Sequence, residues 1–216
     1  MAFNRVGFGQ VEPNQLSAQK TGQIYASLPL DPTVNVLQNG EFMWYNYATG
    51  EVTGDKSKGV GEPMLVFNEI KLYEPFWRTT YKNFAMIRQG DNYITTDVLP
   101  TGNVGSGYNA AQGVINNTGA QITPGHTDYG YRMDGIAPRL FKTNVGDIYT
   151  TNMVETGDLI TYSVGDVLKL AEVTAKDGGK TLVLSKTGDV SNIEFVVAKV
   201  YTMPDGQDGL KIQRIK

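Results

Sequence analysis

Cysteine is absent from this sequence of 216 residues, and histidine occurs once, as His126. Without thiols, disulfide bonds and thiolate metal ligands are both excluded. A zinc site usually takes three or four His or Cys ligands, so we expect no metal centre and no cofactor. A catalytic triad would need His126, which lies in the turn-like segment 124–128, where a surface histidine is the common outcome. We therefore expect no catalytic residue and no enzyme activity.

A glycosidase needs no histidine, only two facing carboxylates, so the acidic residues are the remaining candidates for catalysis. The candidates lie along strands or turns, where a carboxylate ordinarily serves as exposed charge that protects a sheet edge and keeps a protein soluble. These candidates are Glu41, Glu51, Glu69 and Glu74.

Charge is also scarce. Charged residues make up 19% of the chain, compared with roughly 25% in an average globular protein. The net charge of −3 lacks the basic excess that neutralises phosphates, so we expect no nucleic-acid partner. No segment approaches the roughly 20 apolar residues of a membrane helix, and we expect no membrane association. Residues 1–7 lack the apolar run of a secretory signal, so we expect synthesis in the cytoplasm.

Glycine and tyrosine are plentiful, with 25 and 12 residues. Glycine is typical of turns, and tyrosine of half-buried strand faces and wet interfaces. We predict a mostly β protein in three parts. These are an extended N-terminal arm (1–33), a β-rich domain with a long Gly/Asn-rich loop (34–138), and a small C-terminal β-barrel or sandwich (139–216).

The arm is polar and lacks a sustained apolar period, so it cannot bury enough surface to fold alone. It is either a floppy terminus or an arm that becomes ordered on a neighbouring subunit. Phe3, Val6 and Phe8 favour the second interpretation, because a solvated tail seldom carries aromatic residues.

In the central part, residues 34–37 lead into Asn39-Gly40, the strongest short signal for a β-hairpin. The next strand, residues 41–47, has large side chains on both faces, with Phe42 and Trp44 on one face and Met43, Tyr45 and Tyr47 on the other. Such a strand is either buried on both sides or half-covered by a partner. A further strand is predicted at 64–73, whereas 78–86 fits a short helix or a strand. Our predicted partner-binding set comprises Phe3, Val6, Phe8, Trp44, Tyr45 and Tyr47.

Short strands about ten residues apart, separated by Gly-Asp turns, predict the C-terminal barrel or sandwich. We place them at residues 148–154, 159–164, 167–173, 181–184, 194–201 and 210–215. The segment 205–209 resembles a calcium loop but lacks the distant glutamate, so we interpret it as a hairpin turn.

Four segments carry a resemblance to a known class of proteins: Val36-Leu37-Gln38-Asn39-Gly40-Glu41, Tyr47-Ala48-Thr49-Gly50-Glu51-Val52, the run from Leu65 to Tyr73, and Tyr81-Lys82-Asn83-Phe84-Ala85-Met86. With the C-terminal part, they resemble capsid-associated structural proteins of tailed bacteriophages. The sequence pattern around Asn39-Gly40 and Ala48-Thr49-Gly50 is similar to that of head decoration, or cement, proteins. The resemblance covers about half of the chain and brings no catalytic residues with it.

This resemblance implies a virion structural protein, made in the host bacterial cytoplasm and located on the capsid exterior. The expected partners are the major capsid protein and further copies of the chain, in a homotrimer. Two alternatives remain open: a carbohydrate-binding or adhesin-type module, and a tail or connector component.

Overall fold

The regular elements of the chain are almost all strands. The computed structural model describes residues 3, 9–34, 36–68, 85–87, 131–132, 137–157, 160–174, 179–203 and 207–216. The strands are β1 (Val11–Gln15), β2 (Ile24–Tyr25), β3 (Val36–Gln38), β4 (Phe42–Asn46), β5 (Glu51–Thr53), β6 (Met64–Val66), β7 (Ala85–Ile87), β8 (Tyr131–Arg132), β9 (Leu140–Phe141), β10 (Ile148–Thr151), β11 (Val167–Thr174), β12 (Lys180–Ser185), β13 (Phe195–Thr202) and β14 (Asp208–Arg214). One short helix, α1 (Ser17–Thr21), and one 3-10 turn (Lys56–Lys58) accompany them. The prediction of a mostly β protein is confirmed.

Eleven of the described strands form a single curled antiparallel sheet, a half-barrel. Its order is β1-β10-β14-β13-β11-β12-β4-β6-β9-β2, with β5 paired to β4 beside this path. The remaining strands form a small second sheet in the order β3-β7-β8, in which β7 and β8 run parallel.

The curl of the large sheet depends on β11, which divides its pairing between two neighbours. Val167 and Leu168 at its start pair with β13. Residues 169–174 leave β13 and pair instead with β12. A strand that changes partners along its length makes a corner, because the sheet must bend where the pairing switches.

Strand β4 separates two hydrophobic cores. All five of its side chains are buried, and they alternate between the two faces of the sheet. Phe42 and Trp44 join the larger core, which includes residues from β10 to β14. Met43 and Tyr45 join a smaller core. Of the two arrangements predicted for this strand, the chain adopts burial on both sides.

The large sheet draws strands from each of the three predicted parts. Val11 of β1 pairs with Thr151 of β10. Leu182 of β12 pairs with Phe42 of β4. Helix α1, which follows β1, places Leu16 and Ala18 in the larger core at 2% and 0% exposure. Strand pairing therefore crosses both predicted boundaries, and residues 11–25 lie on the sheet of their own chain.

The hairpin predicted at Asn39-Gly40 is wrong. Strand β3, before the turn, pairs with β7, whereas β4 after it pairs with β5, β6 and β12. The turn instead packs closely against β10 and the residues after it. A Cβ on Gly40 would lie only 2.5 Å from Thr151 Oγ1, so a larger residue would clash there. Gly40 also has a φ of 95°, which favours glycine. The Asn-Gly pair thus carries the chain from one sheet to the other.

A second correction concerns the strand predicted at 159–164. Its described residues, 160–164, form no strand. Tyr162 donates a hydrogen bond to the Glu155 carbonyl at 2.7 Å, and its ring meets Phe3 edge-on at 5.4 Å. The Ile160 carbonyl accepts from the Phe3 amide at 3.1 Å. These contacts hold the segment against the sheet without ladder pairing. Of residues 64–73 and 78–86, only 64–68 and 85–86 lie within the described residues.

Candidate partner-binding surface

Three tyrosines from two distant parts of the chain form a connected aromatic group. The ring centroids of Tyr25 and Tyr45 lie 5.3 Å apart, and those of Tyr45 and Tyr47 lie 5.0 Å apart with a T-shaped interplanar angle of 75°. These separations fall within the range in which aromatic pairs attract one another. We refer to Tyr25, Tyr45 and Tyr47 as the tyrosine surface.

Exposure increases steeply along this group. Tyr45 is buried at 6% exposure, whereas Tyr47 is 71% exposed, the largest value among the exposed large hydrophobic residues in the described part of the chain. The Tyr45 hydroxyl is held by Ser27, whose amide donates to it at 3.1 Å and whose hydroxyl is also hydrogen-bonded to it. Tyr45 is therefore held in place, and the exposed ring of Tyr47 packs against it.

The turn that carries Tyr47 is held by the side chain of Asn46. Its Oδ1 accepts from the Ala48 amide at 2.9 Å and from the Thr49 amide at 3.3 Å. Its Nδ2 donates to the Lys58 carbonyl at 2.8 Å. Asn46 is 3% exposed, so water competes little for these bonds. A turn fixed in this way presents Tyr47 at a small entropic cost to binding.

Charge is absent from the two segments that supply the tyrosines. Neither residues 21–30 nor residues 42–50 contain an acidic or basic side chain. The centres of protein interfaces are depleted in charge and enriched in tyrosine. The composition and the exposure of the tyrosine surface are thus both typical of a site that contacts another protein.

A buried carboxylate anchors the chain next to this surface. Asp31 is 1% exposed and accepts hydrogen bonds from Lys58 Nζ at 2.8 Å and Thr53 Oγ1 at 2.9 Å. Burial by itself raises the pKa of Asp31, but the hydrogen bonds from Lys58, Thr33 and Thr53 outweigh it and lower the pKa to about 2. The charged Asp31 thereby joins residues 31–33 to β5 and to the 3-10 turn.

The structure places the predicted partner-binding residues in different environments. Tyr47 is exposed, but Trp44 and Tyr45 are buried within this chain at 4% and 6% exposure. Phe3 is also buried, at 8%, in the larger core. Val6 and Phe8 lie outside the described residues, as does His126. A role for any of these residues in partner binding stays a prediction.

Sequence reasoning missed Tyr25 and Arg214. Tyr25 joins the surface through the pairing of β2 with β9, about which local spacing carries no information. Arg214 gave a usable signal, because it follows Leu210 and Ile212 at a period of two and so belongs to the inward face of β14. It is 8% exposed, and its Nη1 donates to Glu62 and to the Thr143 carbonyl.

Two features are absent from the described part of the chain. No group of three or more His, Asp or Glu side chains there has an arrangement suited to a metal ion. Among the same residues, no helix combines the length and the apolar character needed to span a bilayer.

Comparisons with known proteins yield no relative. No family model, no curated protein and no solved structure matches the chain.

Proposed function

We propose that the protein is a non-enzymatic structural component of a virion, which decorates and stabilises a bacteriophage capsid. In this proposal it binds major capsid subunits on the outside of the head and associates with its own copies as a trimer. The observation that carries the proposal is the tyrosine surface, where an exposed and uncharged ring stands on a rigid turn. Tyr47 and its turn belong to the segment 47–52, one of those that resemble capsid-associated proteins.

The physics of decoration suits a surface of this size. A protein that binds only the assembled lattice stabilises it by mass action, without needing a pocket or a catalytic group. A single tyrosine contact is modest. Several copies that engage neighbouring subunits together gain from a high effective concentration, so that weak contacts add up to a durable attachment.

The test is co-sedimentation of the purified protein with particles assembled from the major capsid protein, comparing Tyr47→Ser with the unaltered chain. Removing an interface tyrosine costs on the order of 2 kcal/mol, so the variant should bind about thirtyfold more weakly. Val145→Ser is the matched control, because Val145 is 67% exposed and lies on a different turn. Both variants should unfold at the same denaturant concentration as the unaltered chain.

Three results would contradict the proposal. One is the absence of any binding of the unaltered chain to such particles. Another is equal binding by the Tyr47→Ser variant, which would remove the tyrosine surface from the interface. The third is a monomer in light scattering both free in solution and on the particle, which would remove the trimer.

A further inference from the structure

A cleft lined by Trp44 combines an apolar wall with a buried cation. Its volume is about 420 Å³, and it lies between residues 61–63, residues 190–193 and the end of β14. This volume is within the range of small-molecule sites, roughly 300 to 1,000 Å³. None of its lining residues belongs to the tyrosine surface, so the cleft is independent of the proposed role in decoration.

The cation is Arg214, which is buried at 8% exposure and lines the cleft. Its Nε donates to the Lys216 carbonyl at 2.8 Å, and its Nη1 donates to Glu62 and to Thr143. Its Nη2 has no acceptor among the described residues. A guanidinium carries five N–H donors, so Arg214 keeps two of them for a ligand.

Acceptors and neutral polar groups stand beside these donors. Glu62 is partly exposed, with 38% of its side chain accessible, and it lines the cleft together with Ser191 and Asn192. Its carboxylate already shares one bond with Arg214 but retains further lone pairs. The cleft therefore offers donors and acceptors side by side. The charges of Arg214 and Glu62 compensate each other, and Lys216, which also lines the cleft, is paired with Glu194 at 3.3 Å.

The remaining wall is apolar and rigid. Trp44, Pro63, Val190 and Ile193 contribute to it. The Trp44 ring packs closely against Gly59, where an added Cβ would lie only 2.6 Å from Trp44 Cε2. The ring is thus packed on one side by the loop and cannot collapse away from the cleft without displacing it.

We propose that this cleft binds a pyranose sugar. A sugar ring has hydroxyl groups that both donate and accept, which match Glu62 and Arg214, and an apolar C–H face, which matches the wall formed by Trp44 and Ile193. A simple anion would meet the carboxylate of Glu62. A purely apolar ligand would desolvate the Nη2 donors of Arg214 and the remaining lone pairs of Glu62 without replacing their hydrogen bonds to water. A sugar can hydrogen-bond with the polar side chains of the cleft and also pack on its apolar wall.

The experiment titrates the full chain separately with glucose, galactose, mannose and N-acetylglucosamine. The chemical shifts of the tryptophan indole N–H signals in nuclear magnetic resonance report binding. The chain has two tryptophans, so a Trp77→Phe variant assigns the Trp44 signal. We expect a saturable shift of that signal with at least one sugar and a Kd of about 1 to 10 mM, because shallow polar sites bind weakly.

Two variants test the lining. Asn192→Ala, at an exposed rim position, and Glu62→Gln should each weaken binding about fivefold or more. The first removes a polar partner of the ring, and the second replaces one charged acceptor oxygen by an N–H donor. Asp189→Asn, in the same loop but outside the lining, should leave the Kd unchanged. No saturable shift with any of the four sugars would overturn the proposal. So would a shift that both lining variants leave unchanged, or a shift produced equally by sodium sulfate.

Discussion

Asp31 illustrates how a single buried charge is stabilised in this fold. It accepts from Lys58 Nζ at 2.8 Å and from the Thr33 amide and hydroxyl at 2.9 and 2.7 Å, so its lost hydration is replaced by donors. A buried carboxylate without such partners would protonate instead. Because its pKa is lowered rather than raised, Asp31 favours the folded state only while it is ionised.

We predict that Asp31→Asn lowers the free energy of unfolding by about 2 kcal/mol at pH 7, the energy equivalent of a pKa lowered from 3.8 to about 2. The contribution of Asp31 is fully present above the unfolded pKa of 3.8 and is lost as the pH falls towards 2. The difference in the free energy of unfolding between the Asp31→Asn variant and the unaltered chain should therefore decrease over that pH interval. Urea unfolding at pH 7, 4 and 2.5 measures it.

Asp189→Asn is the control for this series, because 84% of the Asp189 side chain is accessible and its contact with Lys56 is 3.7 Å long. Exposed pairs of this kind contribute less than about 1 kcal/mol. A gap between the Asp31 variant and its parent that stays constant down to pH 2.5 would contradict the assignment of a low pKa to Asp31.

At the residue scale, the sequence allowed inward and outward positions to be predicted where a strand alternates. Phe42 and Trp44 were assigned to one face and Met43 and Tyr45 to the other, and the two cores follow that division. The partners of Asp31 could not be predicted, because Lys58 lies 27 positions away and reaches it only after β5 has paired with β4.

At the scale of elements, α1 shows how a helix of five residues forms without a local side-chain cap at its N-terminus. Leu16 at its N-cap position supplies no side-chain hydrogen bond. Asp147, just before β10, takes that role by accepting from the Ser17 amide and hydroxyl, each at 3.0 Å. Asp147 also accepts from the Asn144 amide at 2.8 Å, so one buried carboxylate ties α1 to the loop before β10.

We predict that Asp147→Ala destabilises the protein by about 2 to 3 kcal/mol, because it leaves buried donors without an acceptor. The loss should be largest locally, so amide hydrogen exchange in α1 should accelerate more than exchange in β13 and β14. Asp147→Asn retains one acceptor oxygen, so its stability should lie between those of the unaltered chain and the Asp147→Ala variant. Uniform acceleration across all three elements would contradict a local tether.

Element types were easier to predict than element pairings. Strands near β10, β11, β12, β13 and β14 were predicted at close to their observed positions, because alternation and Gly-Asp turns are local signals. The prediction of a hairpin at Asn39-Gly40 was wrong, since the same positive φ serves a hairpin turn and a turn that packs closely on another strand. Local sequence does not state which of the two a glycine is needed for.

At the scale of the whole molecule, the large core is assembled from residues far apart in the chain. Phe42 contacts Phe195 with ring centroids 5.7 Å apart, and both belong to the core that also contains Leu65 and Leu168. Strand β12 has β11 on one side and β4 on the other. The C-terminal strands thus depend on side chains and on edge pairing supplied by residues 11–66.

We predict that a fragment of residues 139–216 does not fold alone, because it lacks Phe42, Trp44 and Leu65 from its core and leaves the β12 edge without β4. Circular dichroism in a urea titration should give no cooperative transition. Mixing with a fragment of residues 1–138 should restore one. A cooperative transition of the fragment by itself would show that the C-terminal part is an independent domain, as the three-part sequence interpretation has it.

The position of β14 in the sheet has a consequence for synthesis on the ribosome. It is the last of the described strands along the chain, yet it lies between β10 and β13. Both neighbours leave the exit tunnel first and have no strand between them until residues 208–214 emerge. Until those residues emerge, the nascent chain carries an incomplete sheet, with apolar side chains such as Tyr149 and Phe195 accessible to chaperones.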